Sequence, residues 1–183
     1  FFVPVAFRIR TYGLALGAAE RQILGPDLPI DVHAMDETNT RVKHRQLIQL
    51  IKQNGGLGLV GIVGVQSNEF PRAVDIARPF RAAGIEVLIG GFHVSGCLAM
   101  LKDTQVDIKL AQDLGICIYA GEAEEGLDEV IVDAARGELK PLYDHMKHLP
   151  DIGSVPSPPY LPYDFVTRTI GNTPLIRLRR VTQ

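Results

Sequence analysis

Leu59-Val60-Gly61-Ile62-Val63-Gly64-Val65 is the clearest buried strand in this sequence. It is an apolar run rich in β-branched residues, which is typical of a strand buried on both faces of a parallel sheet. Ser67-Asn68-Glu69-Phe70-Pro71 follows directly and supplies helix-capping residues and a proline near a helix start. We therefore expect a buried strand, a short polar loop and an amphipathic helix that ends at about Ala83.

Apolar runs and amphipathic segments alternate in the same way on both sides of this stretch. The predicted strands are residues 3–9, 30–35, 59–65, 85–89 and 116–119. The predicted helices are residues 12–24, 42–53, 70–83, 96–101 and 124–136. This alternation indicates a doubly wound, Rossmann-like α/β fold, in which helices cover both faces of a mostly parallel, five-stranded sheet.

Length, charge and proline content limit the kind of protein this can be. The chain has 183 residues and a formal net charge of −2, which suits one domain and argues against nucleic acid or a membrane surface as a partner. Residues 149–183 hold half of the chain's twelve prolines. Because proline lacks an amide donor and has a fixed φ, we expect a globular domain at residues 1–145 and an extended, Pro-rich connector and tail at 146–183.

Cysteine usage and the apolar start indicate the compartment. Cys97 and Cys117 form no C-x-x-C pair, which argues against structural zinc, a disulfide scaffold and an iron–sulfur cluster held by this chain alone. No apolar run reaches the ~18 residues of a membrane span, and Arg8 and Arg10 follow the apolar start, whereas a secretory signal places positive charge first. The sequence predicts a cytoplasmic protein, and its start without Met suggests a trimmed or partial chain.

Three predicted loops follow the carboxyl ends of strands, where ligands bind in open parallel sheets. Gln66-Ser67-Asn68 is neutral and polar, Gly90-Gly91-Phe92-His93 begins with paired glycines, and Gly121-Glu122 is followed by a second acid, Glu124. Paired glycines remove side-chain bulk where a ligand lies against the backbone, and carboxylates are favoured at a helix start. Together the loops predict a cleft for a large polar ligand.

These residues also carry a family resemblance. The segment from Val60 to Asn68, the segment Ile89-Gly90-Gly91-Phe92-His93-Val94-Ser95 and the segment Tyr119-Ala120-Gly121-Glu122-Ala123-Glu124 occur in order. In this arrangement the chain resembles the amino-terminal cobalamin-binding domain of cobalamin-dependent radical S-adenosylmethionine enzymes. The similarity covers roughly residues 10–165, including Asp36-Glu37 and the connector.

The resemblance implies a doubly wound domain that holds cobalamin and its nucleotide tail. The cofactor-binding residues that it implies are Gln66, Ser67, Asn68, Gly90, Gly91, Phe92, His93, Gly121 and Glu122. A dimethylbenzimidazole tail needs a slot beside the central strands, and we expect Gly61, Gly64, Gly90 and Gly91 to leave room for it. The polar loop residues would then face the corrin amides.

A histidine that ligates cobalt is a separate question. The segment Asp31 to Asp36 is close to the D-x-H-x-x-G pattern by which other cobalamin proteins supply an axial histidine. Asp36 replaces the glycine, however, and the segment lies in the second predicted strand, whereas the motif follows the first. We therefore interpret His33 as a strand-end histidine in preference to a cobalt ligand, and His93 as a residue for ligand amides or loop structure. His44, His145 and His148 are predicted to lie at the surface.

The catalytic parts of the family are missing from this sequence. The radical enzymes bind a [4Fe-4S] cluster through C-x-x-x-C-x-x-C in a barrel domain after the connector, and the motif does not occur here. S-adenosylmethionine and the cluster are therefore expected only in a downstream catalytic domain, which is a possible partner. The chain is expected to be a cobalamin-binding piece, truncated before the barrel and without catalytic residues of its own.

Two alternatives stay open. Residues 169–178 resemble the amino-terminal signature of pyridoxal-phosphate-dependent cysteine synthases, so the chain could be a fragment of such an enzyme, although the lysine that forms the Schiff base is not part of this match. A nucleotide-binding or interaction module is the other alternative. Against it, the sequence contains neither G-x-G-x-x-G nor G-x-x-x-x-G-K-[ST], so it has no recognisable phosphate cradle.

Overall fold

A parallel β-sheet forms the centre of the protein in a computed structural model that describes residues 2–4, 9–35, 41–101, 103, 105–124 and 126–147. Within these residues the strands are β1 Phe2–Pro4, β2 His33–Met35, β3 Leu59–Ile62, β4 Glu86–Gly90, β5 Cys117–Ala120 and β6 Leu142–Asp144. They form one six-stranded sheet in the order β2-β1-β3-β4-β5-β6, and every pairing is parallel.

Helices connect the strands and cover both faces of the sheet. In the described part of the chain they are α1 Ile9–Glu20, α2 His44–Gln53, α3 Phe70–Ala82, α4 Phe92–Met100, α5 Val106–Asp113 and α6 Leu127–Arg136. One hydrophobic cluster packs α2, α3, α4 and α5 against one face, and a second packs α1 and α6 against the other. The predicted fold class, a doubly wound α/β sheet, is confirmed.

The central strands explain why the sheet is buried on both faces. Val60 pairs with Val87, and Ile89 pairs with Ile118; these side chains belong to the cluster under α3. Their neighbours Leu59, Leu88 and Cys117 point to the opposite face and join the cluster under α1 and α6. Since successive strand residues alternate between faces, an uninterrupted apolar run supplies side chains to both hydrophobic clusters.

The boundaries of several elements differ from the prediction. The third strand ends at Ile62, earlier than predicted, and Ile9 begins a helix although it was predicted to end the first strand. Helix α4 begins at Phe92, earlier than predicted. Helix α5 and the edge strand β6 were not predicted; both are short, and tertiary packing decides whether such segments form. The sixth strand extends the sheet beyond the five that were predicted.

Several predictions lie outside the described residues. These are the part of the first predicted strand at 5–8, Asp36-Glu37, the tail from residue 148, and the cysteine-synthase-like segment 169–178. Among the described helices, none has the combination of length and apolar character needed to cross a bilayer.

Candidate functional site

Backbone hydrogen bonds join the loops after β3 and β4 at the carboxyl edge of the sheet. The amide of Val65 donates to the carbonyl of Gly90 at 3.2 Å, and the amide of His93 donates to the carbonyl of Val65 at 3.1 Å. The first two loops predicted for the site are therefore neighbours, as expected for adjacent parallel strands. Ser67 and His93 are brought to the same edge by these contacts.

Glycine is required where the two loops meet. Gly91 has φ of +148°, and a Cβ atom there would lie 2.2 Å from the amide nitrogen of Val65 and 2.7 Å from its carbonyl oxygen. A Cβ atom on Gly90 would lie 3.2 Å from the carbonyl oxygen of Tyr119. The expectation that Gly91 leaves open room for a ligand tail is corrected, because the backbone of Val65 fills that space, and Gly91 permits close packing of the two loops.

A row of three polar side chains links the β3 loop, α4 and α5. His93 Nδ1 lies 3.1 Å from Ser67 Oγ, and His93 Nε2 lies 2.9 Å from Asp107 Oδ2. The His93 side chain is 11% exposed, whereas that of Asp107 is 48% exposed. Both ring nitrogens therefore have protein partners, so the imidazole is held in one orientation and neither nitrogen is free for a metal in this arrangement.

Apolar neighbours hold the imidazole from its other sides. The ring of Phe70, which is fully buried at the start of α3, lies 4.5 Å from the His93 ring, centroid to centroid. The Sγ atom of Cys97, one helical turn along α4, lies 3.9 Å from His93 Nδ1. Burial, and then the negative charge of Asp107, raises the pKa of the Cys97 thiol. The thiol stays protonated at neutral pH and acts as a neutral packing group.

The loop after β5 is attached to the same cluster through α4. The amide of Gly121 donates to Ser95 Oγ at 3.1 Å, and the hydroxyl of Tyr119 donates to the carbonyl of Glu122 at 2.8 Å. Gly121 has φ of +103°, and a Cβ atom there would lie 2.7 Å from the carbonyl carbon of His145. All three predicted loops are thus joined at one edge, two of them through side chains of α4.

The acids of the third loop do not begin a helix. Helix α6 starts at Leu127, and the acids of its first turn are Asp128 and Glu129. Glu122 is exposed in the preceding loop. The predicted favourable interaction of Glu122 and Glu124 with a helix start is therefore corrected, because other acids occupy that position.

His145, predicted at the surface, is half-buried beside the third loop. Its ring stacks on Tyr119 with centroids 5.4 Å apart, and its Nε2 atom lies 3.6 Å from Glu129 Oε2. Its amide donates to the carbonyl of Ala120 at 2.8 Å. The prediction missed this residue because β6, which delivers it to the site, is only three residues long.

The outward side chains of the site are mixed in character. Gln66, Ser67, Asn68 and Glu122 are exposed, and Phe92 is 64% exposed. The amide of Gln66 donates to Glu69 Oε2 at 3.0 Å, which fixes the start of the β3 loop. The rim therefore combines neutral hydrogen-bonding groups, carboxylates and one exposed aromatic ring.

His33 is not part of this cluster. It is exposed at the first position of β2, at the amino edge of the sheet. There it lines an apolar pocket together with Leu28, Leu50 and Leu57. Ligands of open parallel sheets bind at the opposite edge, so the structure separates His33 from every other residue predicted for the site.

A corrinoid fits part of this arrangement. The exposed amide and hydroxyl groups of the β3 loop can pair with primary amides, whereas a Cβ atom on Gly91 would lie 2.2 Å from the backbone of Val65, so this glycine is already covered by protein. Among the described residues, no three His, Cys, Asp or Glu side chains lie close enough to hold a metal ion. Comparison with protein-family models, with curated proteins and with solved structures finds no match to this chain.

Proposed function

We propose that this chain is a cobalamin-binding domain of the kind found in cobalamin-dependent radical S-adenosylmethionine proteins, acting in the cytoplasm. The observation that carries the proposal is the convergence of the loops after β3, β4 and β5 at one edge, through Ser67–His93 and Ser95–Gly121 contacts. These are the loops that bear the motif similarity. A parallel sheet of this strand order binds its ligands at that edge.

The exposed residues of the rim match the chemistry of a corrinoid. Gln66, Ser67 and Asn68 are neutral donors and acceptors, as are the primary amides around a corrin ring. The exposed ring of Phe92 supplies apolar contact area beside them. Bound cobalamin would supply organometallic chemistry at cobalt, while this chain binds and orients it. S-adenosylmethionine and the [4Fe-4S] cluster would belong to a catalytic partner domain.

Neither candidate histidine is expected to ligate cobalt. Both ring nitrogens of His93 have partners, at 3.1 Å and 2.9 Å, and His33 lies at the other edge of the sheet. Ligation by His93 would cost one of these hydrogen bonds. We therefore assign His93 to loop structure and to the contacts of Ser67 with the ligand.

Absorption spectroscopy tests the proposal directly. The purified chain is mixed with hydroxocobalamin, passed through gel filtration and examined for the corrinoid spectrum. We expect the protein peak to retain corrinoid, and His93→Ala to weaken binding about tenfold, the value of about one hydrogen bond, without a shift of the cobalt bands.

His33→Ala is the matched control, since it removes an exposed histidine from the opposite edge. It should bind as the unmodified chain does. A protein peak without corrinoid would refute cobalamin binding. A shift of the cobalt bands in His93→Ala would refute the assignment of His93 and identify it as an axial ligand.

A further inference from the structure

Asp107, at the start of α5, is a member of the site that the sequence did not predict. We propose that Asp107 is a positioning residue: it keeps the ring hydrogen of neutral His93 on Nε2, so that Ser67 donates to Nδ1 and offers its oxygen to an amide N–H of the ligand. The identity of the ligand rests on the function proposed above. The hydrogen-bond arrangement itself does not depend on it.

The direction of each hydrogen bond follows from the groups involved. An ionised carboxylate only accepts hydrogen bonds, so the 2.9 Å contact between Asp107 Oδ2 and His93 Nε2 requires the hydrogen on Nε2. In a neutral imidazole the other nitrogen is then an acceptor. The 3.1 Å contact between His93 Nδ1 and Ser67 Oγ therefore uses the hydroxyl hydrogen of Ser67. What remains on Ser67 for a ligand is lone pairs.

Packing prevents the row from rearranging easily. The second oxygen of Asp107, Oδ1, accepts the amide of Ile108 at 2.8 Å, and Ile108 is buried. Phe70 packs on the His93 ring at 4.5 Å. Because the carboxylate and the ring are both held, the polarity of Ser67 is set before any ligand arrives, which lowers the cost of ordering the site on binding.

Because Ser67 presents an acceptor oxygen, it selects the kind of chemical group on the ligand that can bind to it. The carboxylates of Asp107 and Glu69 contact His93 and the Gln66 amide in the same cluster. An acceptor oxygen on Ser67 in this surrounding favours a neutral N–H donor and disfavours a phosphate or carboxylate. Ser67 is exposed, so the ligand can reach it. A primary amide at the edge of a corrin ring has the required N–H group.

Asp107→Asn is expected to reverse the direction of both hydrogen bonds that join Ser67, His93 and Asp107. Its Oδ1 atom can still accept the Ile108 amide, and its NH2 group then faces His93 Nε2 as a donor. His93 must move its hydrogen to Nδ1, and Ser67 becomes the acceptor within the row. The same change of tautomer occurs when the aspartate of a serine-protease triad is replaced by asparagine.

Long-range ¹H–¹⁵N spectra of the histidine rings test the tautomer of His93. The spectra are recorded on the cobalamin-free full chain at about pH 8, where an ordinary imidazole is neutral. His93→Ala assigns the signal. We expect the Nε2–H form in the unmodified chain, the Nδ1–H form in Asp107→Asn, and no change in the control Asp113→Asn, which alters an exposed aspartate at the other end of α5. An Nδ1–H form in the unmodified chain, or no change in Asp107→Asn, would overturn the inference.

Binding of hydroxocobalamin tests the consequence for the ligand. We expect Asp107→Asn to weaken binding about tenfold and Asp113→Asn to leave it unchanged. If the tautomer changes and the affinity does not, Ser67 is not the acceptor for the ligand. If the unmodified chain binds no corrinoid, the proposed function fails, while the spectra still decide the role of Asp107.

Discussion

The two edges of the sheet differ in how their loops are held. At the carboxyl edge the loops are tied together by side chains and by close backbone contacts, such as those of His93 and Gly91. At the amino edge, Leu28, Leu50 and Leu57 surround an apolar pocket. Among the described residues, one fold therefore presents two unlike surfaces: a row of hydrogen-bonded polar side chains at the carboxyl edge, and an apolar pocket at the amino edge.

The same residue type serves different purposes at the two edges. Gly91 is needed for space, because a Cβ atom would overlap the backbone of Val65. Gly55, in the turn before β3, has φ of +89° with nothing within 4 Å of a Cβ atom. Gly55 is therefore needed only for its backbone conformation.

The largest expected effect comes from these two glycines. Gly91→Ala should lower the free energy of unfolding by about 3–5 kcal/mol or prevent folding, because backbone must move. Gly55→Ala should cost about 1–2 kcal/mol, the penalty for a left-handed L-residue. Urea unfolding followed by circular dichroism measures both. Equal losses in the two variants would contradict the distinction between the edges.

The two histidines give the next largest effect. His93→Ala removes two hydrogen bonds and the contact with Phe70, so we expect a loss of about 2 kcal/mol in the free energy of unfolding. His33→Ala removes an exposed side chain and should change stability by less than about 0.5 kcal/mol. The same unfolding experiment measures both. A loss in His33→Ala as large as that in His93→Ala would show that the amino edge is equally ordered.

The smallest expected loss of stability comes from removing a hydrogen bond in a polar cluster near the amino edge. Tyr143 donates to Asp133 Oδ2 at 2.6 Å, and this hydrogen bond, followed by the contact of Lys140, lowers the pKa of Asp133. Tyr143→Phe should cost about 1 kcal/mol at neutral pH.

The cost of Tyr143→Phe should depend on pH in a defined direction. The folded pKa of Asp133 lies below its ordinary value of about 3.9. The stabilisation is therefore present above that value and is lost as the pH falls through the folded pKa. Thermal melts of both proteins should differ at pH 7 and converge below about pH 4. A difference that stays constant down to low pH would show that the hydroxyl acts by packing alone.

Local patterns predicted the central elements well. The start of β3 and the extent of α3 agree with the predicted strand and helix, since an unbroken apolar run and a capping segment with proline are signals contained within a few residues. Helix α5 and strand β6 were missed because their stability depends on packing. Ile108 and Ala111 of α5 are buried against the sheet, and no local signal specifies that contact.

Local patterns also predicted some of the residues of the candidate site. Ser67 and His93 were predicted because each follows a strand in a polar or glycine-containing loop. Asp107 was not, since it lies in the unpredicted helix, 14 residues after His93. His145 was assigned to the surface for a related reason, because an edge strand of three residues brings it against Tyr119.

The alternation of strands and helices, the burial of the central strands and the set of loops at the carboxyl edge all follow from local patterns, because hydrophobic periodicity reflects which faces are removed from water. The contacts between loop residues, in contrast, depend on how the elements pack. Ser67 and His93 are 26 residues apart in the sequence, but their side chains lie 3.1 Å apart. The missing side chain at Gly91 allows the backbone of Val65 to pack against it. These contacts depend on strand order and helix placement, and no local pattern of residues specifies them.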